Sequence, residues 1–189
     1  MRAVPVVLLQ TLHQFALAVW LGGLLVLGAV AAPAVFGAAR ASGDTEWGMP
    51  LYNFAGVAMG EAFGRFQWLA LLSGAVALIT GAIYPPLAGL CRMRRTVRAA
   101  LTVLALAVTA YQVLVLFPEM TAARLSGRRD AFEELHQAYS ASGRFQALVL
   151  FAVMALTGWL HLDREPHGTR DTPSQATPEA LPLSGEATQ

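Results

Sequence analysis

Charge is what this chain has least of. Asp, Glu, Lys and Arg together make up 13% of its 189 residues, hydrophobic residues make up 56%, and the net charge is only +1. Nucleic-acid binding calls for a large basic excess, so that class of partner is excluded. Lysine is missing altogether, and every one of the 13 basic residues is Arg. Beside so much alanine, this reads as the compositional bias of GC-rich coding rather than a functional signal. Cys91 stands alone, which excludes an intramolecular disulfide and a thiolate cluster. At the end of an apolar run, it reads as a small apolar filler. No phosphate loop, nucleophile elbow, HExxH sequence or pair of intramembrane carboxylates occurs. The chain is therefore expected not to be an enzyme and to hold no cofactor.

What the chain has is long apolar runs. No charged residue falls between Ala3 and Ala39, and residues 66–91, 99–117 and 145–162 are almost as apolar. At 1.5 Å of rise per residue, each run can cross a hydrocarbon core of about 30 Å. A peptide group in lipid must find its hydrogen bond within the protein, so a span is a helix or a strand of a closed barrel. The runs are continuous and do not alternate, which excludes the barrel. The expected fold is an all-α membrane protein, a four-transmembrane-helix bundle, with spans at about 5–32, 66–91, 99–117 and 145–162 in one domain of residues 1–162. The first run could be read as a secretory signal, with Arg2 ahead of it and the small residues Ala29, Val30 and Ala31 behind. It is too long for a signal core, and a retained span is expected. The tail, 163–189, is polar and rich in Pro and Thr, and is expected to be disordered.

The short connection between spans two and three holds Arg92, Arg94, Arg95 and Arg98, with no acid among them. By the positive-inside rule this connection, both termini and the tail are cytoplasmic, in a protein of the cell membrane. Both outward connections are expected to be partly ordered. In the first, Gly56, Gly60 and Gly64 recur every four residues, a small-residue stripe that suits close helix packing within one chain or between two. Gly22 and Gly23 in span one belong to the same class of packing residue. Glu61 and Arg65 stand one turn apart and can pair. In the second connection Asp130 and Glu133 form a capping-box-like start. Phe132, Leu135, His136 and Tyr139 then outline a short amphipathic helix lying at the outer surface.

The chain also repeats itself. Gly64-Arg65-Phe66-Gln67 opens span two and Gly143-Arg144-Phe145-Gln146 opens span four. Upstream, Pro33 precedes Ala38-Ala39-Arg40-Ala41-Ser42-Gly43 as Pro118 precedes Ala122-Ala123-Arg124-Leu125-Ser126-Gly127. The order and placement suggest a duplicated helical hairpin whose halves are related by an axis along the membrane normal.

Polar residues inside spans are the natural candidates for a site, because hydrocarbon makes them costly. Gln10, His13 and Gln14 form one patch in span one, and Gln112 in span three is a candidate partner for it. For the span-one patch, packing glue between helices is the preferred reading over a ligand site, and adhesion explains a wider polar core with Gln112 equally well. A haem would need two histidines facing each other at one depth, and His13, His136, His161 and His167 do not offer that. For copper, the donors available are His13, His136 and Met59, with Met120 and Met154 in reserve, but no tight His-x-His or Met-x-Met spacing joins them.

Leu12-His13, Trp20-Leu21-Gly22-Gly23, Ala32-Pro33 and Phe36 resemble the opening of the transmembrane protein 205-like family, small four-span membrane proteins of unknown function. The similarity runs on through Ala55-Gly56, Phe63, Pro118, Arg124, Phe132 and Leu135-His136. It implies the four-span architecture and membrane location, and brings no catalytic residues with it. The His13 and Trp20-Leu21-Gly22-Gly23 stretch is also similar to the first helix of the copper resistance D family. That likeness implies copper or small-solute handling as the alternative to a membrane packing or interaction module tied to envelope tolerance. The partners expected are the lipid bilayer and either a second copy or another membrane protein.

Overall fold

The computed structural model describes residues 3–44, 49–87 and 92–162, and among them there is no strand. The expectations for Cys91, His167 and the tail fall outside the described residues. Helix α1 (Ala3–Leu25) passes through a π-helical segment, Val26–Ala31, into α2 (Ala32–Ala41). Helix α3 (Pro50–Leu87) returns across the membrane. The second half follows the same plan. Helix α4 (Arg92–Tyr111) runs through a π segment, Gln112–Leu116, into α5 (Phe117–Leu125), and α6 (Arg129–Leu162) returns. Four helical rods are thus long and apolar enough to span a membrane.

Both π segments end two residues before a proline, Pro33 or Pro118. A proline inside a helix has no N–H to donate and its ring presses on the carbonyl four residues back. The wider π turn relieves that pressure, so each rod continues instead of breaking. Each rod stops at a Ser-Gly turn, where Gly43 and Gly127 take φ values of 91° and 68° that a Cβ would resist. The hydrogen bonds match one for one. Ser42 N–H donates to Ala38 O and Asp44 N–H to Ala39 O, as Ser126 N–H does to Ala122 O and Arg128 N–H to Ala123 O. The sequence repeat therefore has a counterpart in the backbone. Asp44 also accepts from Leu51 N–H at 2.7 Å, which ties the turn to the first turn of α3.

Two expected short helices are not separate elements. The segment before span two and the amphipathic segment before span four are the first halves of α3 and α6. From Arg129 to Leu162 there is no proline, and Tyr139, Ser142, Gln146, Val149 and Val153 keep one helical register, so nothing ends the helix. The 38 residues of α3 and 34 of α6 give rods of about 57 and 51 Å, well beyond the hydrocarbon thickness. The spans are longer than the sequence reading placed them for the same reason.

Helix α1 packs on α3 and α6, and α4 packs on the same two, so α1 and α4 face each other across a diagonal. The buried cluster between them comprises Ala16, Leu17, Trp20 and Leu21 of α1, Ala70 and Ala77 of α3, Ala105 of α4, and Val149, Leu150 and Val153 of α6. The large filler is Trp20, and the backbone of α3 makes room for it at Gly74, where a Cβ would sit 2.8 Å from the indole. Outward faces carry large apolar side chains such as Phe15, Leu72, Leu114, Leu148 and Phe151, as lipid contact requires.

Candidate functional site

The inward face of α4 is the most polar stripe in the bundle. Arg98, Thr102, Ala105, Thr109, Gln112 and Leu116 are all buried, spaced three or four residues apart. Thr102 and Thr109 donate to the carbonyls of Arg98 and Ala105, at 2.9 and 3.0 Å, so their hydroxyls are satisfied within their own helix. At either end of the stripe the neighbouring helices answer with polar groups of their own. Two polar layers result, separated by the apolar plug around Trp20 and Leu150.

The outer layer is a clasp between three helices. Gln67 of α3 donates its amide N–H groups to Gln112 Oε1 at 3.2 Å and to the Tyr139 hydroxyl at 2.5 Å. Gln112 donates to Ser142 Oγ at 2.8 Å, and Ser142 donates to the Tyr139 carbonyl. Tyr139 is held edge-on by Phe63, with ring centres 6.0 Å apart. One turn inward from this layer, Gln146 of α6 donates to Thr109 Oγ1 at 2.7 Å, and its Oε1 is buried with no hydrogen bond. The glutamines at matching places in the repeat, Gln67 and Gln146, are thus both buried and both donate to the third rod, one turn apart, while the neighbouring Arg65 and Arg144 are exposed.

The inner layer centres on His13. Its Nδ1–H donates to the Ala77 carbonyl at 2.9 Å, with Thr80 Oγ1 3.1 Å away. Thr80 itself donates to Val76 O at 2.7 Å and so can accept from the ring. Its other ring nitrogen, Nε2, is buried with no hydrogen bond. Across from it Arg98, also buried, donates from Nη2 to the Gly81 carbonyl at 3.1 Å. Gly81 lets both side chains reach the α3 backbone, since a Cβ there would lie 3.2 Å from the imidazole and 3.9 Å from the guanidinium. Between them is a cavity of about 40 Å³, lined by His13, Ala77, Leu78, Gly81, Ala82, Arg98, Ala99 and Thr102.

The expected patch of Gln10, His13, Gln14 and Gln112 does not converge. His13 points inward, Gln14, about 100° round the helix from it, is exposed, and Gln10, about 60° round on the other turn, is half-buried at the edge of the inward face. Gln112 sits fourteen residues along α4 from Arg98, about 21 Å away, and belongs to the outer layer. The prospective metal donors are scattered too. Met59 is buried in α3, while His136 is exposed on α6 with its ring stacked on Phe132, 5.8 Å between centres. His13 lies deep in the bundle, and the described residues contain no group of three or more His, Cys, Asp or Glu able to hold a metal.

The glycines divide sharply. A Cβ on Gly23 would overlap the Phe66 ring, one on Gly64 would come 3.1 Å from Phe117, and one on Gly56 would come 3.2 Å from the Arg124 guanidinium. Arg124 reaches there to donate to the Asn53 carbonyl. Gly22 and Gly60 have nothing within 4 Å. Gly56 and Gly64 therefore receive side chains of the same chain. Gly60 leaves a groove of about 270 Å³ lined by Glu61, Arg65, Trp68, Val113 and Phe117 among others. Glu61 and Arg65 do approach each other, at 3.9 Å, but both are exposed and the pair contributes little.

Arg98 is the residue that the sequence reading misplaced, counting it as a loop charge. The three-and-four spacing of Arg98, Thr102, Thr109 and Gln112 was the signal that it faces inward.

The profile of a family described as a domain of unknown function, DUF4149, matches residues 15–129. The chain belongs to that family. The DUF4149 match begins two residues after His13 and ends at the start of α6. It takes in Trp20, Gln67, Arg98 and Gln112 but not Tyr139, Ser142 or Gln146. No curated protein and no solved structure matches the chain. Membership in DUF4149 carries neither the transmembrane protein 205-like nor the copper resistance D resemblance with it.

Proposed function

We propose that this protein is a non-enzymatic packing and interaction module of the cell membrane, of the transmembrane protein 205-like kind, with both termini in the cytoplasm. The observation that carries this reading is the outer clasp, in which Gln67, Gln112, Tyr139 and Ser142 spend their hydrogen bonds on other helices. Such groups adhere helices in lipid and present nothing to a substrate. The bundle's lipid-facing sides then meet a second copy or another membrane protein involved in envelope tolerance. Photo-crosslinking residues placed at exposed Trp68 and Phe151 in living membranes test this. A discrete protein adduct is expected from at least one face, and adducts with lipid alone from both would sink the reading.

The cavity beside His13 favours a second reading, small-solute handling. The decisive comparison is His13→Ala in a strain that depends on the protein. A normal phenotype keeps the packing reading. A lost phenotype with undiminished protein in the membrane replaces it. Copper has less support, because His13, His136 and Met59 lie at different depths and His136 faces outward.

A further inference from the structure

The groove beside Gly60 opens where the exposed surface of the bundle changes from charged to apolar. Glu61 and Arg65 of α3 are exposed, as are Glu119 of α5 and Arg144 of α6. Just below that level the exposed side chains are Trp68, Leu69 and Leu72 of α3, Leu114 of the third rod and Leu148 of α6. The boundary between headgroups and hydrocarbon therefore falls between Arg65 and Trp68, and tryptophan is a residue of that boundary. The groove, of about 270 Å³, straddles it. Gly60 and Gly64 leave its floor without side chains, and Val113 and Phe117 close it from the third rod. Read from the hydrocarbon outward along α3, its rim presents an indole at Trp68, a cation at Arg65 and an anion at Glu61, each about one turn from the next. The two charges meet only weakly, at 3.9 Å with side chains 86% and 70% exposed, so both remain open to a ligand.

We propose that this groove binds one membrane phospholipid with a primary-ammonium headgroup, a phosphatidylethanolamine. The order of groups along such a lipid is acyl chain, phosphate, ammonium, and it is the order in which the rim offers Trp68, Arg65 and Glu61. The guanidinium takes the phosphate in charge-assisted hydrogen bonds, and the ammonium donates to the carboxylate. A choline head carries methyl groups where those donors would be, and a glycerol head brings no positive charge to Glu61. The upper part of one acyl chain lies over Gly64 beside the indole. A volume below the 300–1,000 Å³ or so of a small-molecule pocket fits part of a lipid, the rest staying in the bilayer. A protein helix laid here would have to desolvate both rim charges, whereas a zwitterionic head answers each with its opposite. This site goes beyond the packing reading, which concerns protein partners.

The test is native mass spectrometry of the full chain released from detergent, titrated with dioleoyl lipids that differ only in an ethanolamine, choline or glycerol head. One ethanolamine lipid per chain, held about tenfold more tightly than the other two, is expected. Glu61→Arg combined with Arg65→Glu keeps the net charge and reverses its order, and should abolish the preference. Gly60→Leu puts a side chain into the groove, at a position where a Cβ has nothing within 4 Å, and should remove the bound lipid. A choline or glycerol lipid retained as well as the ethanolamine lipid overturns the proposal. So does a native chain that retains none, a reversed chain that keeps the preference, or a folded Gly60→Leu chain that keeps the lipid. Glycerophosphoethanolamine, the same head without chains, should fail to displace the lipid at equal concentration, and displacement would assign the site to a free phosphoester instead. The comparison of the three lipids on the native chain needs no variant. A negative result here leaves the crosslinking test of the packing reading untouched.

Discussion

The first hairpin and the second share a backbone and differ in what fills it. Each has a π turn before its proline, a left-handed glycine at its outer turn and a glutamine that reaches inward seventeen residues past the start of its returning helix. The interval that carries Pro33 onto Pro118 also carries Trp20 onto Ala105, Leu17 onto Thr102 and His13 onto Arg98. These pairs sit on diagonal helices, so both members face the same interior. A large side chain on one is met by a small one on the other, and an imidazole by a guanidinium. Backbone devices repeat because each hairpin must bend and stop in the same way. Fillings diverge because the two halves share a single interior and cannot both occupy it.

The sharpest way to break this arrangement is to empty the large half. Trp20→Ala leaves a void beside Gly74 and Leu106 that no neighbour can close. It should cost about 3 kcal/mol or more, read as a fall in the thermal unfolding midpoint in detergent. Ala105→Gly, on the small side, should cost far less. Equal losses at the two sites would mean that the halves contribute alike and that the comparison is wrong.

A finer contrast lies within one helix. Gly23→Ala puts a methyl into the Phe66 ring and should destabilise by about 1–3 kcal/mol, whereas Gly22→Ala meets open space and should be neutral or slightly stabilising. Adding Phe66→Leu should restore most of the loss at Gly23 and change nothing at Gly22, a double-mutant result that unfolding measurements can read directly.

The smallest effect separates the two layers of glutamine. Gln112→Leu removes bonds to Gln67 and Ser142, and Gln146→Leu removes one to Thr109. At roughly 0.6 kcal/mol per interhelical bond, the first should exceed the second by about that amount in the same assay. Gln146→Leu also removes a buried oxygen that has no hydrogen bond, which narrows its cost further.

The spans were legible because charge is so expensive in hydrocarbon that its absence marks them without any help from packing. The repeat was legible from Pro33 and Pro118, from the two Ser-Gly turns and from Gln67 and Gln146, since turns and caps are set by local residues. Which side of a helix faces in was not legible where apolar residues surround it entirely. Gln10, His13 and Gln14 all looked inward on a helix whose every face is hydrophobic, and only contact with α3 picks out His13. Arg98 was read by its neighbours Arg92, Arg94 and Arg95 as part of a charged loop, when its register with Thr102 and Gln112 assigns it to the interior. The continuity of α6 was hidden by an amphipathic first half that looks like a surface helix, and that of α3 by a mostly apolar first half whose glycine stripe and Glu61-Arg65 pair look like an interfacial segment.

Trp20 has a consequence for how the two halves can exist. If the first hairpin paired with a copy of itself, two indoles would compete for the room that Gly74 and Ala105 leave for one. If the second did so, two alanines would face each other across a hole. Neither half can serve as its own partner, so the chain behaves as a lock whose key is part of the same molecule. An ancestor assembled from identical hairpins could reach this arrangement only after the halves were joined, and separation would no longer return two working subunits.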